Sequence, residues 1–177
     1  MNRVVAVIGM CGSGKSEAVK FFEVNGFAKV YFGSVVIEEM MSRGLEISEK
    51  NERYIREDLR REYGMGVMAI KSIDKIRNFL KTQNVVVESL YSWEEFKILK
   101  KEFGDEFRLI CIYTTKSLRY KRLTERPFRP LTNAEAESRD VSEIENLDKG
   151  GPIAFADYTV VNNSTLDELK MKLKEYL

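Results

Sequence analysis

A glycine-rich segment near the start of the chain limits its fold more than any other feature. The segment reads Gly9-Met10-Cys11-Gly12-Ser13-Gly14-Lys15-Ser16 and matches the pattern G-x-x-x-x-G-K-[ST] throughout. It follows an apolar run, Arg3–Ile8, and opens a helical pattern over Lys15–Asn25. A strand, such a loop and a helix in succession predict a loop whose main-chain amides surround polyphosphate oxygens. The alternative is a glycine-rich turn that binds nothing.

The chemistry of this loop predicts both a ligand and a metal ion. Six residues are expected to supply main-chain contacts to the phosphates of ATP: Gly9, Met10, Cys11, Gly12, Ser13 and Gly14. Lys15 is expected to reach the β- and γ-phosphates, and the hydroxyl of Ser16 to bind Mg²⁺. The partial positive charge at the start of the helix favours the same anion.

Composition excludes several classes of function. The chain of 177 residues contains no histidine and two cysteines, Cys11 and Cys111. Ser-His-Asp and Cys-His catalysis and histidine-based zinc sites are therefore excluded. Lys and Arg number 29 against 28 acids, for a net charge of +1, which argues against binding of a long nucleic acid. No apolar run approaches the roughly 20 residues of a membrane span and no signal peptide is recognised, so we expect a cytoplasmic location.

The pattern of apolar runs predicts an α/β fold. Five runs bounded by turn signals are candidate strands: Arg3–Ile8, Ala28–Phe32, Asn84–Val87, Phe107–Tyr113 and Tyr158–Val161. Most are continuously apolar, as expected of parallel strands covered on both faces, and helical patterns separate them. A long helical excursion, residues 34–80, lies between the second and third strands. No linker divides the chain, so we expect a single domain over residues 1–177.

A phosphate-binding loop does not by itself define a reaction, because GTPases, motor ATPases and small-molecule kinases share it. The N-K-x-D motif that reads guanine in GTPases is absent from the sequence. A chain of 177 residues is also too short for a large ATPase core. Its length and the helical excursion suit a small kinase in which the excursion closes over an acceptor.

With these motifs the chain resembles the adenylate-kinase-like branch of P-loop kinases. It is most similar to an archaeal group of adenylate-kinase-related proteins, and more distantly to dephospho-CoA kinase. The resemblance implies three layers, α/β/α, around a parallel sheet with strand order 2-3-1-4-5. It also implies that residues 34–80 bind the acceptor and that residues 118–139 form a small lid.

Two positions depart from the motifs that this family uses to hold an acceptor. The family's Asp-Gly-x-(Pro)-Arg is replaced after the third strand by Glu88-Ser89-Leu90-Tyr91. The resemblance implies that Glu88 binds Mg²⁺ or accepts the acceptor's proton, and that Tyr91 lies at the acceptor; alternatively, Glu88 only ends a strand. After the second strand, Gly-Asp-x-x-Arg is replaced by Gly33-Ser34-Val35-Val36-Ile37, so Gly33 is retained and Ser34 and Ile37 replace an acid and an arginine.

The loss of two arginines raises the question of what would hold an acceptor phosphate. Arg43, Arg53 and Arg56 on the following helices are candidates for this role. The alternative is that each is a solvated charge on a helix surface.

The predicted lid keeps its arginines. Arg122 and Arg126 are four residues apart, so on a helix they would share one face. The resemblance implies that Arg122 stacks on adenine and that Arg126 contacts the transferring phosphate. Arg129 lies in the loop beyond, and Arg139 on the returning helix is expected to neutralise the same phosphate, a task that suits the planar guanidinium group. Exposed arginines on helices are also common without such a role.

Asn162 follows the last strand. The resemblance places it at the donor base, and the alternative is a turn before the final helix. Together these features predict an ATP- and Mg²⁺-dependent kinase with a nucleoside monophosphate or similar small molecule as its acceptor. An ATP-binding module, a slow ATPase and a dephospho-CoA-kinase-like enzyme are the alternatives. We expect small nucleotides as partners and a monomer or homodimer; the acceptor and the choice between ATP and GTP stay open.

Overall fold

Five short apolar segments pair side by side in one parallel sheet. The computed structural model describes residues 2–177. The strands are β1 (Val4–Ile8), β2 (Ala28–Tyr31), β3 (Val85–Glu88), β4 (Phe107–Tyr113) and β5 (Tyr158–Val161). Their order is β2-β3-β1-β4-β5, with every neighbouring pair parallel, which confirms the predicted sheet.

Helices connect the strands and cover both faces of the sheet. They are α1 (Lys15–Val24), α2 (Ser34–Ser42), α3 (Glu49–Tyr63), α4 (Val67–Leu80), α5 (Trp93–Phe103), α6 (Lys116–Glu125), α7 (Asn133–Glu145), α8 (Gly150–Ala154) and α9 (Leu166–Leu173). Single 3₁₀ turns follow at Gly104–Glu106 and Lys174–Tyr176. No helix within residues 2–177 has the length and apolar character needed to cross a bilayer.

The alternation of side chains along β1 explains the three layers. Val4, Ala6 and Ile8 face a core that α2 to α5 complete, whereas Val5 and Val7 face a second core with α1 and α9. All five residues of β1 are buried, as the continuous apolar run predicts for a central strand.

Local signals explain most helix ends. Ser92 and Thr132 both form capping boxes, each accepting a hydrogen bond from the main-chain N–H of a glutamate three residues later. The composition of Gly150-Gly151-Pro152 is typical of a turn, but this segment begins the short helix α8. Proline is compatible with the first turn of a helix, where main-chain N–H groups have no partner within the helix.

The sheet topology brings the functional loops to one edge. Strand β1 lies between β3 and β4, and the chain leaves β3 and β4 in the same direction as β1. The carboxyl ends of these strands therefore meet beside the loop at residues 9–16, where open parallel sheets bind ligands.

Removal of Phe22 should show how far stability depends on the α1 core. Phe22 is fully buried on α1, and its ring centroid lies 5.0 Å from that of Phe27. We expect Phe22→Ala to lower the free energy of unfolding by about 3–5 kcal/mol. Phe128→Ala is the matched control, because 72% of Phe128 is exposed and its loss should cost less than about 0.5 kcal/mol. Urea denaturation followed by circular dichroism measures both; equal losses would contradict the assignment of this core.

Candidate functional site

The segment between β1 and α1 adopts a conformation that requires glycine. Gly9 and Gly14 have φ values of 148° and 99°, which side-chain-bearing residues rarely adopt. A Cβ at Gly9 would overlap the carbonyl oxygen of Ile112, and one at Gly14 would overlap the side-chain amide of Asn162. The hydroxyl of Ser13 is buried and has no hydrogen-bond partner within residues 2–177. An orphaned hydroxyl in a loop whose glycines leave the main-chain amides unobstructed fits a bound polyphosphate.

Side chains from neighbouring loops and from α6 donate hydrogen bonds to carbonyl groups of this segment. The carbonyl oxygen of Ser13 accepts hydrogen bonds from the Thr114 hydroxyl (3.0 Å) and from Nδ2 of Asn162 (2.8 Å). The carbonyl oxygen of Cys11 accepts one from Nη1 of Arg119 (3.0 Å). Arg119 is itself buried and forms a two-pronged ion pair with Asp140, with distances of 3.0 and 2.7 Å. Asn162, expected at the donor base, thus has its side chain directed to the phosphate loop.

Lys15 folds back over the loop that precedes it. Its Nζ donates a hydrogen bond to the carbonyl oxygen of Met10 at 2.9 Å. Burial, and after it the nearby Lys149 ammonium, lower the pKa of Lys15 to about 7, although Glu143 opposes both effects. Ser16 is exposed in the first turn of α1.

A buried network that the sequence did not reveal lies beside Lys15. Lys149 is completely buried, and its Nζ donates to Oε2 of Glu143 at 2.6 Å and lies 4.5 Å from the ring centre of Tyr91. Glu143 also accepts a hydrogen bond from Nε of Arg139 at 3.3 Å. Burial works to raise the pKa of Glu143, but Lys149 outweighs it and holds that pKa below its ordinary value. Burial raises the pKa of Tyr91.

Glu88 ends β3 on the side of the sheet that α1 covers. Its carboxylate lies 3.9 Å from Nζ of Lys29, which also pairs with Glu23 of α1 at 3.4 Å. Within residues 2–177, no three acidic or cysteine side chains cluster closely enough to form a metal site by themselves. A metal held by Ser16 and Glu88 would therefore depend on phosphate oxygens for further ligands, as Mg²⁺ commonly does in proteins.

Arg122 and Arg126 do not share a helix face, contrary to prediction, because only Arg122 lies on α6. Arg122 lies beside the loop after β5, with Nη2 3.3 Å from the carbonyl oxygen of Ser164. Arg126 lies beyond the end of α6 with extended dihedral angles, and its Nε donates to the carbonyl oxygen of Arg129 at 2.6 Å. Pro127 explains the difference, because a proline disfavours helical dihedral angles in the residue before it.

A large cavity of about 1040 Å³ opens between the helical excursion and α7. Gly33, Ile37 and Tyr91 line one part of it and Arg139 and Glu143 another. Ser34 begins α2 next to Gly33. A Cβ at Gly33 would overlap the end of the exposed Tyr31 side chain, which can turn away, and the backbone angles of Gly33 are open to any residue.

The three arginines considered as replacements differ in their surroundings. Arg43 pairs with Glu39 and Asp58, and it does not line the cavity. Arg53 lines the cavity but pairs with Glu57 at 2.8 Å. Arg56 lines the cavity and forms no ion pair within residues 2–177.

Sequence reasoning missed Arg60, Arg119 and Lys149. Arg60 was detectable, since it follows Arg53 and Arg56 at helical spacing and lines the same cavity. Arg119 precedes Arg122 on α6 by three residues, but only the structure shows that it is the arginine bound to the phosphate loop. Lys149 gave no signal, because it precedes Gly150-Gly151-Pro152, a composition typical of a turn.

Comparisons with other proteins agree with this architecture. A sequence model of the AAA domain matches residues 5–144. A UPF0200 protein of Thermococcus kodakarensis is 36% identical, with 97% of this chain and 95% of that protein aligned. A UPF0200 protein of Methanosarcina mazei is 30% identical, with 100% of this chain and 95% of that protein aligned.

Solved structures share the fold at low sequence identity. TT1252 from Thermus thermophilus has a TM-score of 0.66 and 16% identity, over 99% of this chain and 96% of that chain. Shikimate kinase from Bacteroides thetaiotaomicron has a TM-score of 0.58 and 12% identity, over 98% of this chain and 97% of that chain. The expected resemblance to P-loop kinases and to an archaeal group is confirmed. The chain belongs to the UPF0200 family and has the fold of the P-loop kinases.

Proposed function

We propose that this protein is an ATP- and Mg²⁺-dependent kinase that phosphorylates a nucleoside monophosphate or a similar small acceptor. The observation that carries the proposal is the position of Arg139 and Glu143. Both line the large cavity, and both lie close enough to Lys15 to change its pKa. Transfer of a phosphoryl group from donor to acceptor requires that the two sites lie side by side. The phosphate loop and the acceptor-sized cavity meet this requirement, because they share two charged residues.

In this proposal the donor is held by the phosphate loop. The main-chain amides of residues 9–16 and the ammonium of Lys15 bind the triphosphate, and Asn162 supports the loop from behind. Arg122 lies at the adenine end. Ser16 and Glu88 would hold Mg²⁺, which supplies charge neutralisation between the β- and γ-phosphates.

The transfer itself needs positioning and charge neutralisation more than proton chemistry. An acceptor oxygen forms a bond to the γ-phosphorus while the bond from that phosphorus to the bridging oxygen breaks, and ADP leaves. Where the acceptor is a hydroxyl group, its proton passes to solvent. Arg139 neutralises the transferring group, and Arg126 joins it when residues 126–132 close and exclude water.

A second candidate is an ATP-binding module or slow ATPase without a small-molecule acceptor. It is favoured by Ile37 and Tyr91, which line the cavity where arginines were expected. A panel of nucleoside monophosphates and dephospho-CoA incubated with labelled ATP separates the candidates. Transfer of label to a member of the panel supports the kinase, and transfer to dephospho-CoA alone would identify that acceptor. Release of phosphate without any acceptor supports the ATPase.

Replacement of the loop lysine tests donor binding. We expect Lys15→Ala to lower turnover by about 100- to 1,000-fold, because a cation aimed at the developing charge is lost. Lys20→Ala is the matched control: Lys20 lies on α1 but is exposed, and its loss should leave turnover within about twofold. Initial rates with labelled ATP measure both variants. Unchanged turnover in Lys15→Ala would refute the role of the loop.

The lowered pKa of Lys15 predicts proton uptake when ATP binds. Above pH 7 the free lysine is largely neutral, and the bound triphosphate favours its charged form. ATP binding should therefore take up as much as one proton near pH 8 and little at pH 6, and affinity should fall as pH rises above 7. Calorimetry in saturating Mg²⁺, with buffers of different ionisation heat, measures the uptake.

The same calorimetric experiment tests whether Lys149 affects the pKa of Lys15. Lys149→Met removes a neighbouring positive charge and leaves Glu143 with Arg139 as its remaining ion-pair partner, and both changes raise the pKa of Lys15. Proton uptake at pH 8 should therefore decrease in this variant, provided that its circular dichroism shows a folded chain. Equal uptake at pH 6 and pH 8 in the unaltered protein would contradict the assigned pKa.

A further inference from the structure

The arginines of α3 differ in whether they form ion pairs with nearby acidic side chains. On α3, Arg53 and the neighbouring Arg61 form ion pairs with Glu57 and Asp58. Arg56 and Arg60 on the same helix form no ion pair and donate no side-chain hydrogen bond within residues 2–177, yet both line the cavity. Two guanidinium groups of α3 thus line the cavity without a polar partner in the described residues, whereas that of Arg129 packs over the ring of Phe128.

Arg60 is the more constrained of the two. Its Nε is buried and has no hydrogen-bond partner in the described part of the chain. Burial lowers the pKa of Arg60, although the nearby Glu95 carboxylate opposes the effect. A buried guanidinium nitrogen is normally satisfied, so an unsatisfied one at a cavity points to a ligand.

The nearby acid does not satisfy Arg60 because its carboxylate serves the main chain. Oε2 of Glu95 accepts hydrogen bonds from the main-chain N–H groups of Tyr91 (2.7 Å) and Ser92 (3.0 Å). Burial raises the pKa of Glu95, and the two main-chain hydrogen bonds oppose this effect. Glu95 therefore supports the loop that carries Tyr91, and Arg60 keeps free donors.

The spacing on α3 makes a joint site possible. Arg56 and Arg60 are four residues apart and lie on one helix face, so their planar groups can approach the same anion. Tyr31, Phe32 and Met68 supply an aromatic and apolar wall in the same cavity. Two arginine forks beside an apolar wall suit a ring that carries a phosphate monoester or carboxylate group.

We propose that Arg56 and Arg60 form the anion subsite of the acceptor, in place of the arginines missing at Ile37 and Tyr91. The inference rests on the proposed kinase function and narrows it. The acceptor is a small ring compound that carries an anionic group, a phosphate monoester or a carboxylate, in addition to the oxygen that receives phosphate. An acceptor held from α3 is bound by the helical excursion itself, so the excursion must be in place for binding.

Calorimetric binding to the full chain tests the subsite without requiring turnover. Adenosine monophosphate probes the phosphate monoester and shikimate probes the carboxylate, with adenosine as the uncharged match for the first. We expect one of the two anions to bind, and adenosine to bind at least about tenfold more weakly than adenosine monophosphate if that is the ligand. Arg60→Ala and Arg56→Ala should each weaken anion binding by about 10- to 100-fold. Arg60→Lys, which keeps the charge but loses the fork, should be intermediate.

Arg61→Ala is the matched control, because Arg61 lies on the same helix, outside the cavity lining, and pairs with Asp58. It should change anion binding by less than about twofold. Thermal melts identify any variant that does not fold, and Arg60→Lys and Arg56→Ala then carry the test. The proposal is overturned if neither anion binds the unaltered chain, or if anion binding is the same in the Arg56, Arg60 and Arg61 variants.

ATP titrations of the same proteins keep this inference distinct from the kinase proposal. The Arg56 and Arg60 variants should bind ATP as the unaltered chain does, whereas Lys15→Ala should lose ATP but keep the anion. Anion binding that depends on Arg60 in a chain without phosphoryl transfer would refute the kinase and retain the subsite.

Discussion

The site depends on hydrogen bonds that hold three main-chain carbonyl groups of the loop at residues 9–16. The carbonyl oxygens of Met10, Cys11 and Ser13 all accept hydrogen bonds from side chains of the protein. Main-chain carbonyls near bound phosphate would repel it, so anchoring them elsewhere leaves the amides to face the anion. The donors come from α1, from the loops after β4 and β5, and from α6. The sheet order that places β4 beside β1 and β5 beside β4 is therefore a requirement of the loop.

The part of the site beside Lys15 contains a buried ion pair, formed by Lys149 and Glu143. Lys149 and Glu143 are removed from water, and desolvation of such a pair costs free energy that their attraction only partly offsets. A hydrophobic pair would fill the space at less cost, so stability alone does not explain these residues. Their effect on the charge of Lys15 and on the position of Arg139 offers a reason that does.

The elements that could be predicted are those that depend on local signals. The strands follow from continuous apolar runs, α1 from the loop motif before it, and α5 and α7 from Ser92 and Thr132. The strand order rested on resemblance, since no local pattern in the five runs distinguishes one order of parallel strands from another. Arg126 shows a readable signal that was overlooked, because Pro127 beside it argues against a helical residue.

The remainder of the site depends on contacts between distant residues. Arg119 and Asp140 are 21 positions apart, and Lys149 meets Tyr91 only because α8 packs near the loop after β3. No periodic pattern in the sequence predicts contacts between such distant residues. An isolated lysine before Gly-Gly-Pro is typical of a solvated turn. A helix face of arginines was visible in the sequence, but which members lack an acidic partner was not.

The buried bond between Arg119 and Asp140 also governs how this protein can move. Arg119 connects α6 to Asp140 of α7 and to the carbonyl group of Cys11. Swinging both helices away as one rigid arm would break these contacts in an apolar setting. Opening is cheapest if only the tip, residues 126–132, swings while the helices stay docked. Access to the proposed nucleotide site would then be controlled by a flap of seven residues rather than by both helices.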